Sequence, residues 1–215
     1  MLVRERMTPN PITVNEDVSM HEALRLMRER RIRRLPVLDR GGRLVGIVSE
    51  KDLLYASPSP ATSLSVFEIN YLVAQIKVGQ LMTRKVITVS DDTPLEEAAR
   101  IMVDNKIGGL PVLDRAGKLA GIITETDLFK VFLELLGARE RGLRLTLLVP
   151  NKHGMLASLA GTIANMGGDI LALGTFADKE PDRGLLTLKV RGVERQAVLE
   201  ALKPLGIEVL DVREA

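Results

Sequence analysis

One segment of the chain occurs twice, and this repeat limits what the chain can fold into. Residues Leu35–Asp39 have the sequence LPVLD, and Leu110–Asp114 repeat it 75 positions later. The same offset carries Met7-Thr8 onto Met82-Thr83. From position 7 to position 53 the copies align without a gap, and roughly half of their positions are identical, which indicates one structural unit used twice.

Composition narrows the class of protein. Of 215 residues, 46% are hydrophobic and 27% are charged, as in ordinary folded domains. Thirty Lys and Arg residues against 28 Asp and Glu residues argue against a dedicated nucleic-acid binder. The absence of Cys excludes disulfides and cysteine-bound metals, and no apolar run reaches the roughly 20 residues that span a bilayer. We expect a cytoplasmic protein that binds neither nucleic acid nor membrane.

The pattern within each copy predicts the order β-α-β-β-α. In the first copy, a β-branched run at 12–14 precedes apolar residues at helical spacing between Met20 and Met27. Apolar runs at Leu35–Leu38 and Leu44–Val48 flank a Gly-containing turn, which is typical of a hairpin. Ser49 then opens a second helix. We assign the first unit to residues 1–56 and the second to residues 79–137.

The segment between the copies and the segment after them are connectors. Residues 57–63 are rich in Ser and Pro, and apolar residues at helical spacing follow up to Ile76. We therefore expect a linker with a helix at 57–78 that packs on another element. Charged residues between Gly137 and Gly142 indicate a short hinge at 138–142.

The tail, residues 143–215, has a different pattern. Strand-like runs at Leu143–Val149, Ile170–Phe176, Leu185–Val190 and Ile207–Val212 alternate with helical stripes. The order β-α-β-β-α-β predicts a ferredoxin-like domain, with two helices on one face of a four-stranded antiparallel sheet. The fold class expected for the whole chain is α+β. One helical stripe comprises Met155, Leu156, Leu159, Ile163 and Met166.

These motifs resemble known families. The Met-Thr starts, the LPVLD segments, and the sequences GIVSEKD (46–52) and GIITETD (121–127) are similar to those of CBS domains, which in tandem form one disc-like module. The tail resembles an ACT domain through VPNKHGML (149–156) and GDIL (168–171). This order of domains is similar to that of the bacterial CBS–ACT proteins related to the acetoin-utilisation protein AcuB.

Ser49 and Asp52 admit two interpretations. A hydroxyl and a carboxylate at this spacing form a capping box at a helix start, which needs no ligand. The same pair can serve a ligand, because a carboxylate accepts hydrogen bonds from both ribose hydroxyls and a helix N-terminus offers donors to phosphate. Thr124 and Asp127 repeat the pair in the second copy, which favours the ligand.

The CBS resemblance implies that AMP, ADP, ATP or S-adenosylmethionine binds in the cleft between the copies. One copy supplies the carboxylate and the hydroxyl, and the other supplies an apolar adenine slot. Site 1 would comprise Arg34, Ile47, Ser49, Asp52, Met82, Ile87 and Ile107, and site 2 would comprise Met7, Ile12, Ile32, Ile122, Thr124 and Asp127. Because the counterpart of Arg34 is Gly109, we expect tighter phosphate binding at site 1.

Two further groups of residues each have two interpretations. Arg28, Arg30, Arg31, Arg33 and Arg34 form either a nucleic-acid surface or a solvated helix end, and the scarcity of aromatic residues disfavours the first. The loop with Asn151, His153, Gly154, Met155 and Leu156 is either a tight turn or an amino-acid site, as the ACT resemblance implies. ACT domains usually have Asp where this chain has Asn151.

The sequence lacks the residues of common catalytic sites. His21 and His153 are the only histidines and lie in different predicted domains, and no metal cluster, Walker-A loop or dinucleotide fingerprint is present. We therefore expect a non-catalytic ligand sensor without a cofactor, which forms a homodimer to cover its apolar helices and sheet edge. The alternative is a dimerisation scaffold that binds no small molecule. The resemblance points to acetoin or related carbon metabolism.

Overall fold

The chain divides into two compact units. A computed structural model of the protein describes residues 1–56, 75–177 and 182–215. The first unit comprises Met1–Leu128 and the second comprises Phe129–Ala215. None of the helices in these described ranges is long and apolar enough to cross a membrane. Most of the linker and helix expected at 57–78 falls on residues 57–74, outside the described ranges.

Both copies have the expected order β-α-β-β-α. The first consists of β2 (Val14–Asn15), α1 (Met20–Arg30), β3 (Arg34–Leu38), β4 (Leu44–Ser49) and α2 (Glu50–Tyr55). The second consists of β5 (Val89–Ser90), α4 (Leu95–Asn105), β6 (Gly109–Leu113), β7 (Leu119–Thr124) and α5 (Glu125–Leu135). A two-residue strand β1 (Thr8–Pro9) lies at the start of the first copy, and a short helix α3 (Val78–Leu81) lies at the start of the second.

The core of the first copy contains the residues that the helical spacing selects. Met20, Ala23, Leu24 and Met27 of α1 are buried against the inner faces of β3 and β4. Ser19 begins the helix, because its hydroxyl accepts a hydrogen bond from the Glu22 N–H at 3.2 Å. This packing fixes the positions of the strand ends that carry the site.

The Asp of each LPVLD segment shapes a turn. Asp39 Oδ1 accepts hydrogen bonds from the backbone N–H groups of Gly41 and Arg43, at 2.8 and 2.9 Å. Asp114 Oδ1 holds the corresponding turn through Ala116 and Lys118. This carboxylate replaces backbone acceptors within the hairpin, so its repetition in the sequence has a structural cause.

The two copies exchange their first residues. In the first copy, Thr8 pairs with Ile122 of β7, and in the second copy Thr83 pairs with Ile47 of β4. The Val3 N–H donates to Thr93 O, and the equivalent Val78 N–H donates to Val18 O, both at 2.9 Å. Each copy therefore completes the other.

Two methionines pack at the points of exchange. A Cβ atom at Gly46 would collide with Met82 Sδ, and a Cβ atom at Gly121 would collide with Met7 Sδ. Glycine is needed at both positions because each side chain lies directly on the backbone of the other copy. Met82 is only 7% exposed, so this contact is part of the core.

The second unit is a ferredoxin-like domain, as the tail pattern predicts. Strands β8 (Leu143–Pro150), β9 (Asp169–Ala177), β10 (Arg183–Arg191) and β11 (Glu208–Glu214) form an antiparallel sheet in the order β11-β8-β10-β9. Alternate residues of β8 are buried against α6 (Met155–Asn165) and α7 (Arg195–Leu202). Met155, Leu159 and Ile163 of the predicted stripe are buried, whereas Leu156 is 47% exposed.

The residues that flank the expected hinge are bonded within the second unit. The buried Lys189 side chain donates from Nζ to Gly137 O at 3.0 Å. Gly142 and Ala215 exchange two backbone hydrogen bonds of 3.0 Å. Both ends of the segment are therefore held by the second unit.

Helices α1 and α4 both end on a residue other than glycine in the left-handed conformation. Arg31 has φ 53° and Lys106 has φ 54°. We expect Arg31→Gly to raise the free energy of unfolding by about 0.5–1 kcal/mol, because glycine adopts this conformation without steric cost. Arg28→Gly, which removes the same charge from the exposed interior of α1, should instead lower it by about 1 kcal/mol.

Urea denaturation of both variants measures this difference. Equal destabilisation by the two substitutions would contradict the assignment of conformational strain to Arg31.

Candidate ligand-binding cavities

Ser49 and Asp52 form a complete capping box at the start of α2. Asp52 Oδ2 accepts hydrogen bonds from the Ser49 N–H at 2.8 Å and from the Ser49 hydroxyl at 2.7 Å. The Asp52 N–H donates to Ser49 Oγ at 3.2 Å. Among the described residues, no hydrogen bond reaches Asp52 Oδ1. The cap therefore uses one carboxylate oxygen of Asp52, and Oδ1 takes no part in it.

The second copy repeats this geometry at the start of α5. Asp127 Oδ2 accepts hydrogen bonds from the Thr124 N–H at 3.1 Å and from the Thr124 hydroxyl at 2.7 Å. Asp127 is only 8% exposed. The two interpretations therefore concern the same residues, and the capping interpretation is confirmed for Ser49 and Asp52.

A cavity of about 860 Å³ faces the Ser49–Asp52 pair. We call it cavity 1. Its lining includes six of the seven residues predicted for site 1, namely Arg34, Ile47, Ser49, Asp52, Ile87 and Ile107. Met82 does not line it and instead covers Gly46. Residues of both copies contribute, since Ile87 and Ile107 belong to the second copy.

A smaller cavity of about 270 Å³ faces the Thr124–Asp127 pair. We call it cavity 2. Its lining includes five of the six residues predicted for site 2, namely Ile12, Ile32, Ile122, Thr124 and Asp127. Met7 does not line it and covers Gly121. The arrangement of cavity 1 is therefore repeated with the roles of the copies exchanged.

Cationic side chains outnumber carboxylates in both linings. Cavity 1 has Arg33, Arg34, Lys51, Lys85 and Lys106 against Glu50 and Asp52, whereas cavity 2 has Arg31, Arg33 and Arg34 against Asp127. Cations grouped around a hydroxyl and a carboxylate suit a ligand that combines phosphate with ribose. Of the five clustered arginines, three line a cavity.

The sequence interpretation missed Lys85 and Lys106. Both line cavity 1, and their equivalents in the repeat, Asn10 and Arg31, line cavity 2. Lysines scattered along a chain look like ordinary surface residues. The offset of the repeat was the available signal, because it relates Lys106 to Arg31 of the arginine cluster.

Arg34 lies against Gly108 and Gly109, which occupy the positions of Arg33 and Arg34 in the second copy. A Cβ atom at Gly109 would be 3.1 Å from Arg34 Cδ, and one at Gly108 would collide with Arg34 Nη2. Burial lowers the pKa of the Arg34 guanidinium, and the Glu125 and Asp52 carboxylates partly counter this effect. An arginine remains cationic under such conditions.

The second unit has a cavity of about 490 Å³ at the loop before α6. We call it cavity 3. Its lining includes all five residues predicted for the ACT ligand, Asn151, His153, Gly154, Met155 and Leu156, together with Lys152, Phe176 and Arg183. Gly154 begins α6 with φ 82°, and no side chain caps the first helical N–H groups. The loop is therefore both a glycine-dependent turn and the wall of a cavity.

Two domain families match the chain. The CBS domain family matches residues 3–59 and 78–134. The TTHA0829-like ACT domain family matches residues 141–213.

Solved structures similar to this chain include adenosyl-ligand complexes. CBSX2 from Arabidopsis thaliana in complex with AMP is 37% identical with a TM-score of 0.50, covering 61% of this chain and 96% of that one. The CBS domain pair of protein MJ0100, in complex with 5′-methylthioadenosine and S-adenosyl-L-methionine, is 28% identical with a TM-score of 0.52, covering 65% and 98%.

A third similar structure is a putative acetoin utilization protein (AcuB) from Vibrio cholerae. It is 32% identical with a TM-score of 0.53, and the match covers 65% of this chain and 96% of that one. The family matches account for both repeated copies and for the tail. The chain belongs to the CBS-domain family, as a tandem CBS pair followed by a C-terminal ACT-like domain.

Proposed function

We propose that the chain is a non-catalytic sensor that binds an adenosyl nucleotide between its two CBS domains. The observation that carries this proposal is the repeated hydroxyl–carboxylate pair, which faces a cavity with cationic walls in each copy. The AMP complex of CBSX2 and the adenosyl complexes of MJ0100 support the ligand class.

Each part of the ligand has a counterpart in the lining of cavity 1. Asp52 Oδ1 accepts hydrogen bonds from the ribose hydroxyls, and Ile87 with Ile107 provides the apolar contact for adenine. Arg34 and Lys85 neutralise the phosphate. Cavity 2 offers the same ribose and adenine contacts, but Asn10 stands where cavity 1 has Lys85. Phosphorylated ligands therefore bind more tightly in cavity 1.

Sensing requires that the ligand favours one arrangement of the CBS domains over another. A ligand shifts such an equilibrium only by its difference in affinity for the two arrangements. A nucleotide in cavity 1 contacts residues of both copies, and so does one in cavity 2. Its binding energy therefore depends on how the copies are placed, which is the condition for regulation.

The first test is AMP binding by the unmodified chain and by variants of Asp52. Isothermal titration calorimetry is expected to show two sites in the unmodified chain. Asp52→Ala and Asp52→Asn should each weaken the tighter site at least about tenfold, because a charged hydrogen-bond acceptor for ribose is lost. Asp127→Asn is the matched substitution in cavity 2 and should weaken the other site.

The two Asp52 variants separate ligand binding from helix capping. Without ligand, Asp52→Ala should lower the free energy of unfolding by about 1 kcal/mol, because the capping box is lost. Asp52→Asn keeps an oxygen acceptor for the Ser49 N–H and should be affected less. Unchanged AMP affinity in both variants would contradict the assigned site, and no AMP binding by the unmodified chain would favour the dimerisation scaffold.

We also propose that cavity 3 binds an amino acid. All five loop residues expected from the ACT resemblance line it, and the first N–H groups of α6 lack a side-chain cap. Those groups suit a carboxylate. Asn151 takes the place of the Asp that would hold an ammonium group by charge.

A thermal-shift screen with single amino acids tests cavity 3. A ligand that binds only the folded state raises the melting temperature by mass action. Asn151→Asp should increase the shift, because it adds a charge that pairs with the ammonium group. Asn165→Asp makes the same change at an exposed position outside the lining of cavity 3 and is the control for added negative charge. If no amino acid raises the melting temperature of either the unmodified chain or the Asn151→Asp variant, the proposal is contradicted.

The proposed assembly is a homodimer. Apolar side chains of α5 are exposed, with Phe129 67% exposed, Phe132 51% exposed and Leu135 59% exposed, and exposed apolar surface of this kind favours association. Light scattering of the purified chain is expected to give twice the chain mass. A monomer at micromolar concentration would contradict it.

The proposed pathway is acetoin or related carbon metabolism. Its support is the 32% identity to the putative acetoin utilization protein from Vibrio cholerae.

A further inference from the structure

The linings of cavities 1 and 2 are separate except at Arg33 and Arg34. Arg34 is half-buried, whereas Arg33 is exposed. The remaining cations each line one cavity, since Lys51, Lys85 and Lys106 belong to cavity 1 and Arg31 belongs to cavity 2. The half-buried Arg34 side chain therefore lines both cavities.

Strand register explains how one side chain reaches both cavities. On β3, Arg34 lies opposite Ser49, which belongs to cavity 1. On β6, Gly109 lies opposite Thr124, which belongs to cavity 2. The Arg34 side chain crosses from the first strand pair to the second, because its Cδ and Nε lie 3.1 and 3.4 Å from the Cβ position of Gly109.

The glycines of the second copy make this crossing feasible. Gly108 and Gly109 occupy the positions of Arg33 and Arg34 in the repeat. A side chain at Gly108 would collide with Arg34 Nη2 and with Glu125. Because the two equivalent positions approach so closely, only one of them can carry a long side chain. The two cavities therefore share the half-buried Arg34, and Gly109 supplies no second side chain there.

A shared guanidinium links the occupancy of the two cavities. Its N–H donors form a fixed planar fork. The N–H groups that donate to a phosphate in one cavity therefore cannot donate to a phosphate in the other. This competition for the donors of Arg34 opposes simultaneous binding of two phosphorylated ligands.

We propose that Arg34 is a phosphate ligand common to both CBS sites, so that a nucleotide in one cavity weakens the binding of a second nucleotide in the other. This proposal rests on the proposed function, because it requires phosphorylated ligands in the cavities. Linkage makes the antagonism reciprocal.

Calorimetric titration of the full chain with AMP tests the antagonism. In the Asp52→Asn variant cavity 1 is weakened, so AMP binds first in cavity 2, and this first step gives the intrinsic affinity of cavity 2. In the unmodified chain, the second binding step should be about tenfold weaker than this intrinsic value, within the usual range for coupled sites. Asp127→Asn gives the intrinsic affinity of cavity 1 in the same way.

Substitutions of cavity-specific cations are the matched controls. Lys85→Asn, which copies the residue of the other repeat, should weaken AMP binding in cavity 1 alone. Arg31→Asn should weaken binding in cavity 2 alone, and Asn tolerates the left-handed conformation of this position. Arg34→Gln should weaken both sites about tenfold. Its second step should then equal the affinity of cavity 2 in the double variant Arg34→Gln/Asp52→Asn, because the coupling is lost.

Several outcomes would overturn the proposal. They are two independent AMP sites in the unmodified chain, an Arg34→Gln variant that loses affinity in only one cavity, and a loss of coupling in Arg33→Gln but not in Arg34→Gln. These results would leave the proposed function intact. No AMP binding by the unmodified chain would overturn the proposed function and the shared ligand together. If Arg34→Gln melts at a lower temperature than the unmodified chain, the test uses Arg34→Lys instead. This variant keeps the charge but not the planar fork, and the same loss of coupling is expected.

Discussion

The first unit depends on one contact that occurs twice. The start of each copy pairs with the sheet of the other copy, and this pairing fixes the two copies together. Thr83 pairs with Ile47 and Thr8 pairs with Ile122, and a methionine beside each threonine lies directly on a glycine. Ile47 and Ile122 stand two residues before the hydroxyl of each pair, on the same face of the strand. The pairing that joins the copies therefore also positions the walls of both cavities.

The capping boxes show that a structural role and a binding role can use the same residues. Helix α2 needs an acceptor for its first N–H groups, and Ser49 with Asp52 supplies it. The remaining carboxylate oxygen is held in place by the same bonds. A rigid acceptor loses little side-chain entropy when a ligand arrives. Capping thus prepares the site instead of competing with it.

Much of this arrangement could be predicted from the sequence. The features that could not be predicted depend on contacts between residues that are distant in the chain. The repeat located the four residues of the two pairs, because a hydroxyl and a carboxylate recur at the same place in both copies. These residues are Ser49, Asp52, Thr124 and Asp127. The repeat could not show that Met82 would cover Gly46, since an apolar residue near a cleft suits either the core or the wall. The sequence also showed that the position equivalent to Arg34 in the other copy is Gly109, but it did not show the path of the Arg34 side chain. That path depends on the approach of two strand pairs that are distant in the chain.

The reciprocal exchange bears on the origin of the chain. A polypeptide with a single copy would present β4 with Ile47 unpaired and would carry a Met-Thr segment with no strand to join. Two such polypeptides could satisfy each other by the same pairing that the two copies use here. The present chain holds within one polypeptide the arrangement that such a symmetric pair would have. Its two halves differ in sequence, and Arg34 packed against Gly109 is an asymmetry that two identical chains could not encode.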